Sequence, residues 1–340
     1  MNQAINRQDS SRVSAAIHKL LRCGAGVITV TLLACSAARA QDYPARPVTV
    51  IIPFSAGSAS DVIGRIVIDR IATSMGRSFV VDNRPAAGGN VGTQAVARAE
   101  PDGYTILMST SGPLAVNRVL NPALGYDPER DFAPISLYAS LPNVIVVSSK
   151  LAVTTLAEFT DYVKKNPNTP YGSVGPGSSQ HLAGAFFEQV SGAKMTHVPY
   201  RVTGQLVTDL VSGQVPVSFQ LVPNVIGQIK AGTVRPIAVA ADKRLAALPN
   251  TPTAAEAGIT GYQSAGWFAF LAPRATPRPI VERLHREVAA AMADPAIRTR
   301  FAEMGAEPLA SSPEELGRHI AAEIAKWREI INKAGIKIEQ

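Results

Sequence analysis

At 340 residues, 46% of them hydrophobic and 17% charged, the chain is too apolar to be disordered and long enough for two domains of ordinary size. The net charge of +7 falls to +3 without residues 1–40, which carry five of the 33 Lys/Arg and one of the 26 Asp/Glu, so charge gives no argument for a nucleic-acid partner. Both cysteines, Cys23 and Cys35, lie in that same segment, so the remainder has no disulfide, thiol nucleophile or cysteine metal site.

The first element is an address. Arg7, Arg12, Lys19 and Arg22 make a basic start, and Cys23 to Ala34 is an apolar and small-residue run too short to span a membrane with ease. Ala38-Arg39-Ala40 then matches a small-x-small cleavage site. That order reads as a secretory signal peptide over residues 1–40. Leu32-Leu33-Ala34-Cys35 also resembles a lipobox, which would leave a lipid on Cys35. Leu33 is unusual at that place and Ala-Arg-Ala follows closely, so a soluble chain beginning near Gln41 is expected. No later stretch has the length and charge-free character of a membrane helix.

From there strands and helices alternate. Val48-Thr49-Val50-Ile51-Ile52 is β-branched and bounded by prolines, which predicts a buried strand. The loop Pro53 to Asp61 follows it and opens an apolar-periodic helix from Val62 that Ser60 or Asp61 can cap. A small-residue loop at a helix start leaves backbone N–H groups free, and the helix dipole adds partial positive charge, so this loop can hold an anion. Strands are predicted at 78–82, 104–108, 143–147, 196–200, 215–219, 235–240 and 266–271. Helices are predicted at 91–99, 155–165, 182–191, 203–212, 222–231, 279–292, 295–304 and 313–334. Residues 171–181 read as a loop. Such alternation implies parallel sheets covered by helices. The expected organisation is one domain from 41–142 and 265–340, and a second from 143–264, with crossovers near 140 and 264 able to act as a hinge.

Enzyme motifs fail one by one. Gly57-Ser58-Ala59-Ser60 lacks the last glycine of a nucleophile elbow, and neither a P-loop nor a dinucleotide fingerprint is present. His181, His197, His285 and His319 have no metal-ligand spacing, and the last two sit in charged helices where solvation is expected. No cofactor and no metal are expected. Ser178-Ser179-Gln180-His181 has two readings, a helix cap or a second anion-binding helix start; nucleophilic catalysis there lacks an orienting acid. Thr110-Ser111-Gly112 and Tyr200-Arg201 also follow strands, either as ordinary surface turns or as ligand groups. Ligands of open α/β sheets bind beyond the carboxyl ends of strands, and a cleft between domains would bring these four loops together.

Taken in order, the motifs resemble the Bug-type solute receptors of tripartite tricarboxylate transporters. The matching pieces include Tyr43-Pro44-x-Arg46-Pro47, Pro53-Phe54-x-x-Gly57-x-x-x-Asp61 and Asp82-Asn83-Arg84-Pro85-x-Ala87-Gly88-Gly89-Asn90. They continue with Pro101-Asp102-Gly103-Tyr104-Thr105, Gly177-Ser178-Ser179-Gln180-His181-Leu182, His197-Val198-Pro199-Tyr200 and Leu271-Ala272-Pro273. The resemblance implies an α/β, two-domain, periplasmic-binding-protein-like (Venus flytrap) fold with parallel-rich sheets, and no catalysis. It implies a periplasmic monomer that takes a small carboxylate in the cleft and meets the membrane components of a transporter. Carried over, the ligand-binding residues are Phe54, Ser55, Ala56, Ser58, Asp61, Ser109, Ser111, Ser178, Gln180, His181, Tyr200 and Gln220. Ser58 stands where the family usually has a second glycine, Val202 where it has a frequent glycine, and Gln220 where it often has aspartate. A neutral Gln220 cannot pair with a ligand ammonium, which argues against amino acids. Two other readings stay open at this stage: a secreted hydrolase-like enzyme using Ser58 or Ser179 with His181, and a receptor turned to extracytoplasmic signalling.

Overall fold

In a computed structural model that describes residues 43–334, ten strands form one mixed sheet, ordered β2-β1-β3-β9-β4-β7-β5-β6, with β8 and β10 paired to β4. The signal-peptide reading, Gln41 and Cys35 lie outside the described residues.

The first half of the sheet is a parallel triple. β1 (Val48–Ile52) sits between β2 (Phe79–Asn83) and β3 (Thr105–Thr110). The second half repeats this, with β5 (Thr169–Ser173) between β6 (Met195–Pro199) and β7 (Val217–Leu221). Helices are the crossovers: α1 (Ala59–Met75) and α2 (Asn90–Ala97) in the first half, α5 (Ser179–Ser191), α6 (Thr203–Ser212) and α7 (Val222–Lys230) in the second. The short α3 (Asn117–Leu120) and α4 (Leu156–Lys165) precede these last three. Thr155 and Glu158 form a reciprocal capping box at α4, which fixes its start one residue from expectation.

Between the triples runs β4 (Phe132–Ser148), a strand of 17 residues. Its first part pairs antiparallel with β9 (Ala265–Pro273) and its last part with β7 and β8 (Val234–Val239). The expected crossover near 140 is therefore continuous strand. Pro134 and Pro142 break the alternation that marks a strand, and the pairing with β9 absorbs this by register shifts after Pro134 and Leu137. The loop expected from Tyr171 also begins later, since Tyr171 to Ser173 end β5 with Tyr171 buried in the core.

α8 (Arg278–Ala293), α9 (Pro295–Glu303), β10 (Glu307–Pro308) and α10 (Pro313–Ala334) return to the first half, as their register change suggests. Leu316, Ile320 and Ile324 of α10 join Ile51, Leu107, Phe132 and Leu271 in one core. A second core gathers Ile145, Phe159, Phe187, Phe219 and Tyr262. His285 and His319 are half-buried rather than solvated, His319 lying edge-on to Trp267 at 4.8 Å.

Candidate functional site

The parallel strands of both halves end at one place, and the helices that follow them start there. α1, α5, α6 and α7 all bring residues of their first turns to a single cavity. Phe54, Ala59, Leu221 and Phe268 form its apolar walls, and Ser58, Thr110, Ser178, Ser179, Gln180, Thr203 and Asn224 its polar ones. The cavity holds about 20 Å³, room for about one water. No Lys, Arg, Asp or Glu lines it. A second cavity of about 400 Å³ adjoins it through Phe54 and Val174, walled by Pro53, Pro85–Gly89, Gly175, Pro176 and Tyr200, with the exposed Arg201 as its one cation.

Two of these helix starts, those of α1 and α5, are capped by their own serines. Ser58, rather than the expected Ser60 or Asp61, is the N-cap of α1, because the helix starts at Ala59 and takes both of those residues into its first turn; the Ser58 hydroxyl accepts from the Asp61 N–H at 3.4 Å. Ser178 caps α5 in the same way, accepting from His181 N–H at 3.3 Å while donating to the Gly175 carbonyl at 2.7 Å. Asp61 braces the loop from beneath. It accepts from the Gly57 N–H at 3.0 Å, from Arg65 at 2.9 Å and from the Asn83 amide at 3.0 Å. Burial alone would raise its pKa; Arg65, the Gly57 N–H and Asn83 outweigh this and hold the carboxyl below the usual carboxylate range.

Under the second loop two imidazoles stack. His181 and His197 lie 4.1 Å apart, His181 Nδ1 accepts from the Gly177 N–H at 3.1 Å, and His197 Nε2 meets Ser173 Oγ at 2.6 Å. Burial lowers the His181 pKa to about 4; burial and then the neighbouring His181 lower that of His197 to about 3. Both rings are neutral at pH 7.

The two halves touch directly across the cavity. Ser55 Oγ donates to Thr203 Oγ1 and accepts from Thr203 N–H, both at 3.2 Å. The Ala59 N–H donates to Asn224 Oδ1 at 2.6 Å. Buried amides extend this contact. Asn224 Nδ2 donates to Gln220 Oε1 at 2.8 Å, as does Gln180 Nε2 at 3.3 Å, and Gln220 Nε2 donates to Ser218 Oγ at 2.7 Å.

Of the residues expected at the site, Phe54, Ser58, Ser178 and Gln180 line the first cavity, and Phe54 and Tyr200 the second. Tyr200 presents its ring, since its hydroxyl is bound to Asp209 at 2.8 Å; burial and then that carboxylate raise its pKa to about 12. Gln220 stands behind the first cavity, fully buried in the amide network. Ser55 joins the halves, Asp61 and His181 support the loops, and Ser109 is wholly buried against Thr93 Oγ1 at 3.3 Å. Ser111 is buried and Ala56 exposed, and neither lines a cavity. Asn224 was not foreseen, and Thr203 was expected only as the last residue of the loop 200–203, not as a site residue. Each lies in the first turn of a helix that follows a strand, and that position was the available signal.

A mixed α/β sheet whose helix starts surround a partly open cavity is an architecture shared with solute-binding receptors. BugD, a periplasmic binding protein, superposes with a TM-score of 0.83 at 34% identity, over 87% of this chain and 99% of its own. R. palustris Rpa4515, solved with adipate, superposes with a TM-score of 0.84 at 38% identity over the same shares. MatC from Rhodopseudomonas palustris, solved with malate, gives 0.79 at 31% identity, over 85% of this chain and 100% of its own. The model of the family described as tripartite tricarboxylate transporter family receptor matches residues 63–336. The chain belongs to this TctC family of periplasmic solute-binding receptors.

Proposed function

We propose that this protein is exported to the periplasm as a monomer, binds a small carboxylate between two lobes, and presents it to the membrane components of a tripartite tricarboxylate transporter. The observation that carries the reading is the convergence of four helix N-termini on a cavity with no basic side chain. An anion there is held by backbone N–H groups, hydroxyls and helix dipoles. Adipate and malate, bound by Rpa4515 and MatC, are ligands of this kind. The lobes are residues 41–142 with 265–340, and residues 143–264. They close on the solute as β4 and β9 flex, and the carboxylate is met by Phe54, by Gln180 and by the helix-start backbone at Ser58 and Ser178.

No acid lines either cavity, and Asp61 is committed to Arg65, Gly57 and Asn83, so a ligand ammonium has no counter-charge. The reading therefore favours carboxylic acids without an amino group. The hydrolase alternative, Ser58 or Ser179 with His181, is disfavoured by the same geometry, because Ser58 spends its hydroxyl on a helix cap and the His181 Nδ1 lone pair, on which either serine would depend, is taken by a backbone N–H.

Thermal-shift screening of the exported chain against mono- and dicarboxylates and their neutral amides tests this. The acids are expected to raise the melting temperature and the amides are not. Equal stabilisation by acid and amide would sink the anion reading. Turnover of generic esters would revive the enzyme, and capture of a signalling protein in place of transporter subunits would favour the signalling role.

A further inference from the structure

The two cavities differ in kind, and Phe54 and Val174 stand in the walls of both. Hydroxyls and amides make up the polar wall of the first. The second is walled instead by Phe54, the ring of Tyr200 and the prolines Pro53, Pro85, Pro176 and Pro199, with small residues between them. Among its lining side chains only those of Tyr200 and Arg201 carry a polar atom. The Tyr200 hydroxyl is committed to Asp209, to which it donates at 2.8 Å. That leaves the guanidinium of Arg201, which is exposed and forms no ion pair among the described residues. A ligand that extends from the first cavity into the second therefore meets hydrogen-bonding groups, then hydrocarbon, then a cation. Hydroxyls on its middle would give up water for proline and aromatic rings, side chains that offer them no partner. The planar, forked guanidinium suits a second carboxylate at the far end.

Building on the carboxylate reading above, we infer that the ligand is an elongated dicarboxylate with an unhydroxylated body: one carboxylate lies among the helix starts, the hydrocarbon chain crosses the second cavity against Phe54, Tyr200 and the prolines, and Arg201 takes the far carboxylate. The first cavity then sets which chemical group binds, and the second sets which acid carries it. Arg201 selects for a second charge, and the apolar wall selects against hydroxy acids, because a hydroxyl there loses water without gaining a bond.

The test is calorimetric titration of the exported chain with the straight-chain dicarboxylates from succinate to suberate, each beside the monocarboxylate of equal length. Adipate is also compared with galactarate, which is adipate hydroxylated at every middle carbon. The best dicarboxylate is expected to bind about threefold more tightly than its monocarboxylate, the scale of an exposed ion pair. Adipate should bind about tenfold more tightly than galactarate, the scale of leaving a buried hydroxyl unpaired. Arg201→Ala should weaken the best dicarboxylate about threefold more than it weakens the matching monocarboxylate, and Arg201→Lys should restore part of that difference. The melting temperature of each variant without ligand checks that the fold is intact. The inference is overturned if no dicarboxylate binds more tightly than its monocarboxylate, if galactarate matches adipate, or if Arg201→Ala weakens both acids equally. In those cases an acid still binds and the carboxylate reading stands. Binding of none of these acids also overturns the inference, and the thermal-shift screen above then tells whether the carboxylate reading falls with it.

Discussion

Ser178 shows how a residue at a binding site can serve the helix and not the ligand. Its hydroxyl has one proton, given to Gly175 O, and it accepts from His181 N–H, so little of it remains for a solute. Ser178→Ala is expected to lower stability by about 1 kcal/mol, the usual cost of losing an N-cap. Carboxylate affinity should stay unchanged. Denaturant melts and calorimetric titration of the same variant separate the two effects, and lost affinity at full stability would place the hydroxyl on the ligand. Asp61 follows the same logic. Its carboxylate shapes the loop whose N–H groups face the cavity, so its contribution to binding passes through the backbone.

The start of α5 and the end of β6 are joined by the stacked His181 and His197, and this joint is sensitive to acid. Both folded pKa values, about 4 and about 3, lie below the ordinary 6.5. Between these limits the unfolded chain binds protons that the folded chain refuses, so stability falls as pH is lowered. The contribution is complete above about pH 6.5 and is lost progressively towards pH 4. Half-buried His319 adds to the trend, while Glu188, whose pKa burial raises, opposes it. Chemical denaturation at pH 7, 6 and 5 should therefore give steadily decreasing stability, with a shallower slope in His197→Gln. A flat profile in wild type would mean that the pair stays solvated enough to titrate normally.

At the scale of the whole molecule, the two halves meet where side chains are missing. A Cβ on Gly112 would come within 2.8 Å of the Gly177 carbonyl oxygen, and one on Gly88, at φ 63°, within 2.5 Å of the Pro176 carbonyl oxygen. Gly112 is the cleaner probe, since its backbone conformation suits any L-residue and only the close approach forbids a side chain. Gly112→Ala is expected to leave each half folded but to hold the halves apart. The readout is a larger radius of gyration with saturating adipate and weaker adipate binding than wild type. Ligand-induced compaction equal to wild type would show that this contact does not limit closure.

The strand and helix alternation, the polar loops after β1, β3, β5 and β6, and the family motifs were all legible in the sequence, because periodicity and caps are local properties. Ser178 was recognisable as a helix cap for the same reason, whereas the cap of α1 is Ser58, ahead of the expected Ser60 or Asp61. What the sequence could not show was β4 as one strand of 17 residues, whose prolines hide the pattern and whose pairing with β9 alone explains it. Nor could it separate Asp61 and His181, turned beneath their loops, from Gln180, turned into the cavity. Ser55 with Thr203 and Ala59 with Asn224 lie 148 and 165 residues apart. No local signal links such pairs; they come together only once both parallel triples have formed and the two halves have met, so the tertiary structure alone decided which polar groups face the solute and which bind each other.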